Sequence, residues 1–142
     1  KQQDYTARLA ETPEELSQFL LPLSEAGVDI FHCSQRRFWE PEFEGSDLNL
    51  AGWTRKITGK PAITVGSVGL NADFIPVPGE VTFREAEPAS LDELERRLSD
   101  NEFDLVAVGR ALISNPSWVD MVRDDRPDDI KPFRKEHLGQ LV

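Results

Sequence analysis

The sequence predicts an α/β fold built from consecutive strand–helix units. Three short apolar runs at residues 28–33, Ala62–Val65 and 105–108 have the composition of buried parallel strands. A helical pattern lies between each pair of runs, and this alternation is typical of a (β/α) barrel or a doubly wound sheet. Two consecutive strands end in glycine-containing turns that could bind a phosphate. This favours the barrel, because barrels commonly build a phosphate site from the loops after two consecutive strands.

Local start and stop signals support each predicted helix. Thr12-Pro13-Glu14-Glu15 forms a capping box that opens the first helix, Gly27 suits its end, and Pro22 is expected to kink or interrupt it. A second helix is predicted over residues 49–58. A capping box at residues 90–93 opens a third that runs to about residue 99, and residues 115–116 cap a fourth.

The connecting segments are less regular. Residues 34–53 form a loop too long for a plain connection, and its aromatic side chains either anchor the loop or line a pocket. Residues 70–89 are irregular, with a small hairpin or flap predicted at 77–81. Residues 126–142 are predicted to be a polar C-terminal tail with one helical turn near Lys135. We therefore predict one partial domain over residues 1–142.

Composition restricts the classes of function. The chain has 16 basic and 26 acidic residues, a net charge of -10 and 39% hydrophobic residues. Nucleic acid is not an expected partner because no basic stripe is present, and no apolar run is long enough to span a membrane. The lone cysteine, Cys33, fits a reducing compartment, so a cytoplasmic location is expected. Because the chain opens on Lys1 and a polar run, we expect a fragment of a longer protein.

The strongest chemical signal is a pair of possible phosphate loops. The run Gly66, Ser67, Val68 and Gly69 follows one strand and can present several backbone N–H groups to an anion. Gly109 and Arg110 follow the next strand, where a close backbone approach, a cation and a helix start coincide. From these residues alone two other interpretations stay open, an ordinary tight turn and an arginine that extends from the rim of the sheet.

Four segments together resemble the Old Yellow Enzyme family. They are Gly-Val-Asp-Ile-Phe-His-Cys-Ser at 27–34, Phe-Trp-Glu-Pro at 38–41, Ile-Thr-Val-Gly-Ser-Val-Gly at 63–69 and Phe-Asp-Leu-Val-Ala-Val-Gly-Arg-Ala-Leu-Ile-Ser-Asn-Pro at 103–116. These flavoproteins are FMN-dependent NAD(P)H oxidoreductases, or ene-reductases, on a TIM barrel. The resemblance implies that the chain is the C-terminal part of such a barrel, with the three runs as about strands 6–8.

The resemblance also implies roles for particular residues. The FMN phosphate would be bound by the set Gly66, Ser67, Val68, Gly69, Gly109 and Arg110, and the substrate pocket would be shaped by Phe38 and Trp39. Hydride would pass from NADH or NADPH through FMN to an electron-poor alkene, a small-molecule substrate. The family's substrate-binding pair and proton-donating tyrosine lie in its N-terminal half, so we assign no catalytic residue here. His32 is expected in the core and His137 in the tail, and with Cys33 they form no metal site.

Two other classes of function stay open. One is a phosphate-binding (β/α)-barrel enzyme of different chemistry, such as a phosphosugar isomerase. The other is a non-catalytic half-barrel that serves as a folding or interaction module. Because strands cut from a barrel leave open edges, we expect the isolated chain to be inactive and to associate with itself or with the missing N-terminal half of the barrel.

Overall fold

A computed structural model describes residues 7–74 and 84–139 of the chain. Its centre is a three-stranded parallel sheet with strands β1 (Phe31–Ser34), β2 (Ala62–Val65) and β3 (Leu105–Ala107) in that spatial order. The register pairs Phe31 with Ala62 and Ile63 with Leu105. The predicted α/β class with a parallel sheet is therefore confirmed, and the assignment of these strands to a TIM barrel stays a prediction.

The chain divides into two compact units, each described here by itself. The first contains the sheet and the described residues 7–66 and 92–107, with helices α1 (Pro13–Glu25), α2 (Leu50–Thr58) and α3 (Asp92–Ser99). Leu16, Leu20, Ala51 and Leu94 supply buried apolar side chains from these helices. Each helix lies between or before strands as the alternating pattern predicts.

Capping residues set the helix ends in the first unit. The Thr12 hydroxyl accepts a hydrogen bond from the Glu15 N–H at 3.2 Å, which confirms the predicted N-cap of α1. The helix continues past Pro22 to Glu25, so the proline does not end it. The side chain of Asn49 caps α2, and Gly59 ends it with a φ of 67°, a left-handed conformation that glycine adopts without strain.

The second unit contains the described residues 67–74, 84–91 and 108–139. Helices α4 (Arg110–Ser114) and α5 (Trp118–Arg123) are followed by 3-10 helices at Pro127–Asp129 and Lys135–Gly139, the last of which confirms the turn predicted near Lys135. Phe133 is 0% exposed and pairs through its backbone with Ala86, so the segment after residue 126 supplies part of the core. The hairpin predicted at 77–81 lies outside the described residues.

The sheet is less buried than the sequence indicates. Leu105 was expected inside a buried strand, but it is 50% exposed, and β1 and β3 each pair along only one edge among the described residues. The prediction that Leu105 is buried is therefore wrong, because the described part of the chain does not cover it. Self-association through these edges stays a prediction. Among the described residues, no helix is both long enough and apolar enough to cross a membrane.

Candidate anion-binding site

The turn after β2 has a backbone shape that its glycines make possible. Gly66 has a φ of 139°, and a Cβ placed on it would lie 2.7 Å from the Gln35 carbonyl oxygen and from the Arg36 carbonyl carbon. Ser67 and Gly69 also have positive φ values, 52° and 68°. A turn of this kind can expose several N–H groups on one side of the chain, and such concavities bind anions.

One carbonyl group brings Ser67 and Arg110 together within the second unit. The Ala72 carbonyl oxygen accepts a hydrogen bond from Ser67 Oγ at 3.3 Å and another from Arg110 Nη2 at 2.5 Å. These two side chains come from the two predicted phosphate loops, which are more than 40 residues apart in sequence. The structure therefore places a residue of the first loop and the arginine of the second on a shared acceptor.

The Arg110 guanidinium is partly buried and enclosed by aromatic rings. Its Cζ lies 5.8 Å from the ring centroid of Phe74 and 5.5 Å from that of Phe133, and its Nη1 donates to the Arg84 carbonyl oxygen at 3.5 Å. Desolvation lowers the Arg110 pKa, and the nearby Asp73 carboxylate partly opposes this shift. An arginine remains charged despite such a shift, so the site keeps a fixed cation in an acidic chain.

Several backbone donors at these loops have no acceptor in the part of the chain that the structure describes. The N–H groups of Val68 and Gly69 meet no carbonyl or side-chain acceptor there. Gly109 precedes α4, whose first N–H groups have no partner within the helix. A Cβ on Gly109 would meet no atom of the described residues within 4 Å, and its φ is -110°. Open space beside unpaired donors is what a bound anion requires.

Trp118, the first residue of α5, packs against the first of these loops. A Cβ on Gly69 would lie 3.0 Å from Cζ2 of this indole and 3.4 Å from its Nε1. Trp118 is 6% exposed, and its Nε1–H has no hydrogen-bond acceptor among the described residues. The amino-acid sequence does not single out this residue, because nothing local distinguishes a buried tryptophan with an unpaired N–H from one that only fills the core.

The predicted pocket residues Phe38 and Trp39 lie in the first unit and contact one another edge to face, with ring centroids 5.1 Å apart. Phe38 is buried, and its N–H donates to the Gly66 carbonyl oxygen at 3.1 Å. The Phe38 carbonyl oxygen accepts from Asn49 Nδ2 at 2.7 Å. The long loop is therefore tied to the turn after β2, and a role for these two side chains with substrate stays a prediction.

A buried ion pair between Arg97 and Glu102, which is not evident from the sequence, holds the loop at residues 34–53 in place. Arg97 is 5% exposed, and its guanidinium donates to both carboxylate oxygens of Glu102, at 2.9 and 3.1 Å. It also donates to the main-chain carbonyl oxygens of Trp39, at 3.1 Å, and Asp47, at 3.0 Å. Because the two carbonyl partners lie 50 and 58 residues from Arg97 along the chain, helical periodicity alone could not identify Arg97 as buried.

The structure also places the remaining candidate residues, His32 and His137. His32 is exposed, so the prediction that it is a core histidine is wrong. The reason is that successive side chains of a strand point to opposite faces of the sheet, and in β1 the buried face holds the neighbouring Cys33. His137 Nδ1 lies 2.8 Å from the Ser114 hydroxyl oxygen. Within the described residues no cluster of histidine, cysteine or carboxylate side chains could hold a metal ion.

Comparison with known proteins gives a partial match. The chain is 32% identical over 136 residues to a protein named NADH oxidase from Thermoanaerobacter brockii. The match covers 90% of this chain but 18% of the length of that protein. No family model matches the chain. The match therefore points to a distant relationship with an NADH-dependent oxidoreductase and leaves the narrower family open.

Proposed function

We propose that this chain is the FMN-phosphate-binding part of an NAD(P)H-dependent flavin oxidoreductase of the Old Yellow Enzyme type. The single observation that carries the proposal is Gly109, which stands beside unpaired donors although no atom of the described residues would contact a side chain there. The similarity to a protein named NADH oxidase supports the oxidoreductase class. FMN, the TIM barrel and reduction of an electron-poor alkene belong to the proposal.

The donors present fit a phosphate monoester. N–H groups of Val68, Gly69 and the start of α4 would bind its oxygens, and Arg110 has guanidinium N–H groups beyond the two that donate to Ala72 and Arg84. A doubly charged phosphate gains most from such charge-assisted hydrogen bonds. When bound, the flavin would supply the hydride-transfer chemistry, and this chain would hold its phosphate end.

The proposed site is tested by comparing FMN with riboflavin, which lacks the phosphate. Arg110→Ala should weaken FMN binding by about 1.5–3 kcal/mol, the range for a hydrogen bond to a charged group, and leave riboflavin binding almost unchanged. Arg123→Ala is the matched control, since it removes an equal charge from an exposed position on α5. An equal loss of affinity for both flavins would contradict a phosphate role for Arg110.

Gly109→Ala provides a second test that does not depend on charge. The added methyl group meets no atom of the described residues within 4 Å, so the free energy of unfolding should change by no more than about 1 kcal/mol, the cost of alanine at the N-cap of α4. It would occupy the space assigned to the phosphate, so FMN affinity should fall at least about tenfold, or 1.4 kcal/mol. Gly139→Ala, another open position in the same unit, is the control. Unchanged FMN affinity in Gly109→Ala would refute the assignment of this space.

A further inference from the structure

We propose that the Trp118 indole N–H is a further donor of the anion site and binds an oxygen of the phosphate. This inference rests on the proposed function and deepens it by adding a side chain that the loop motifs do not contain. Its basis is the position of a buried Nε1–H, without an acceptor among the described residues, 3.4 Å from where a Cβ of Gly69, the last residue of the first loop, would lie.

The chemistry of indole restricts what can satisfy this group. Tryptophan Nε1–H donates a hydrogen bond and accepts none, so a metal ion or an ammonium group cannot be its partner. A buried donor without an acceptor costs about 1–3 kcal/mol, and such groups are rare in folded proteins. The neighbouring N–H groups of Val68 and Gly69 also have no acceptor in the described chain. One acceptor with several lone pairs would satisfy all three, and a phosphate has that property.

Hydrogen bonds of Asn115 hold Trp118 in its position beside the first phosphate loop. Its backbone N–H donates to the Asn115 carbonyl oxygen at 2.9 Å, which fixes the start of α5. The Asn115 side chain in turn donates to the carbonyl oxygens of Ala111, at 3.0 Å, and Lys131, at 2.9 Å. Because Nε1 is buried, an acceptor that reaches it must be enclosed by the same loop. A phosphate oxygen held by the loop N–H groups would be enclosed in that way.

Trp53 provides a natural control. Its Nε1–H is also buried without an acceptor among the described residues. However, its ring packs edge to face on Phe43, with centroids 5.4 Å apart, and lies under the Lys56 ammonium group at 4.5 Å. No phosphate loop contributes to these contacts. Within the described part of the chain, two buried indole N–H groups therefore lack an acceptor, and the proposal assigns one of them to the anion.

Indole N–H resonances in a ¹H–¹⁵N correlation spectrum test the proposal directly. The chain has three tryptophans, so each of the three indole signals is assigned to its residue by replacing the tryptophans one at a time with phenylalanine. On titration of the purified protein with inorganic phosphate and then FMN, the Trp118 signal should move and saturate together with the Val68 and Gly69 amide signals. The Trp53 signal should not move.

Affinity measurements complete the test. Trp118→Phe should weaken FMN binding about tenfold or more, with riboflavin binding almost unchanged, whereas Trp53→Phe should alter neither. If the loop amides respond to phosphate but the Trp118 indole does not, the indole is satisfied by a buried water or by nothing, and the inference is overturned while the proposed function stands. If neither loop amide responds to phosphate or FMN, the proposed function fails as well.

Discussion

Replacing Arg97 with alanine should destabilise the protein strongly, because it leaves the Glu102 carboxylate buried without its main counter-charge. The side chains of Arg97 and Glu102 are 7% and 8% exposed. Removing one partner of such a pair typically costs about 3–5 kcal/mol. That is a large part of the roughly 5–15 kcal/mol by which a typical domain is stable. The carbonyl groups of Trp39 and Asp47 would also lose their donors, which adds to the loss.

The neighbouring Arg96 is the matched control. It lies on the same helix and forms ion pairs with Glu93 and Asp100, but its side chain is 55% exposed. Pairs of this kind are screened by water and contribute little, so Arg96→Ala should shift the unfolding curve far less. Urea unfolding followed by tryptophan fluorescence measures both variants, and unchanged slopes would establish that the shifts are changes in stability.

A second variant separates the cost of an unpaired charge from the loss of the contacts themselves. Combining Arg97→Ala with Glu102→Gln removes the buried charge while an amide remains to accept from the Asn49 N–H, whose present bond to Glu102 is 3.0 Å. The double variant should recover part of the stability that Arg97→Ala loses. The reasoning is refuted if Arg97→Ala is no more destabilising than Arg96→Ala, or if the double variant loses the sum of the two single losses.

Three further predictions follow from the same contacts. Gly66→Ala should destabilise the protein more than Gly27→Ala in urea unfolding, since both glycines have positive φ but only Gly66 meets backbone atoms at 2.7 Å. Burial raises the Cys33 pKa, so alkylation of its thiol should be slow near pH 8.5. The protonated thiol contributes to folding stability below the pKa that Cys33 has in the unfolded state, and this contribution is lost as pH rises through the pKa that it has in the folded state. Alanine at Phe38 or Trp39 should change the Michaelis constant for bulky alkenes more than FMN retention, and early melting with unchanged kinetics would indicate packing alone.

Some elements follow from sequence because their determinants are local. The run Ala62–Val65 is a strand with the predicted bounds, and α2 ends at the glycine that follows it. Strand β1 begins at Phe31 rather than at residue 28, because the Val28 N–H donates back to the Leu23 carbonyl oxygen at the end of α1. The sheet register then pairs Phe31 with Ala62. The start of this strand therefore depends on a helix ending and on a partner strand, which a short apolar run does not encode.

The environments of the charged residues could not be predicted in the same way. Arg96 and Arg97 are adjacent in a capped helix, and the sequence gives no reason to expect one exposed and the other buried. The difference arises because the Arg97 side chain meets carbonyl groups about 50 residues away along the chain, at Asp47 and Trp39. Arg110, by contrast, could be selected as a site residue because its signal, a glycine and a cation after a strand, is contiguous in sequence.

Gly66 and Gly109 look alike in the sequence, since each follows a strand, yet the structure gives them different physical roles. At Gly66 the protein itself excludes a side chain, because φ is 139° and a Cβ would collide with the chain at Gln35 and Arg36. At Gly109 the described residues leave the space open. An alanine at Gly66 should therefore appear first as lost stability, and an alanine at Gly109 as lost FMN affinity in a protein that unfolds normally. The opposite assignment of effects would mean that the proposed phosphate position belongs at the first glycine and not at the second.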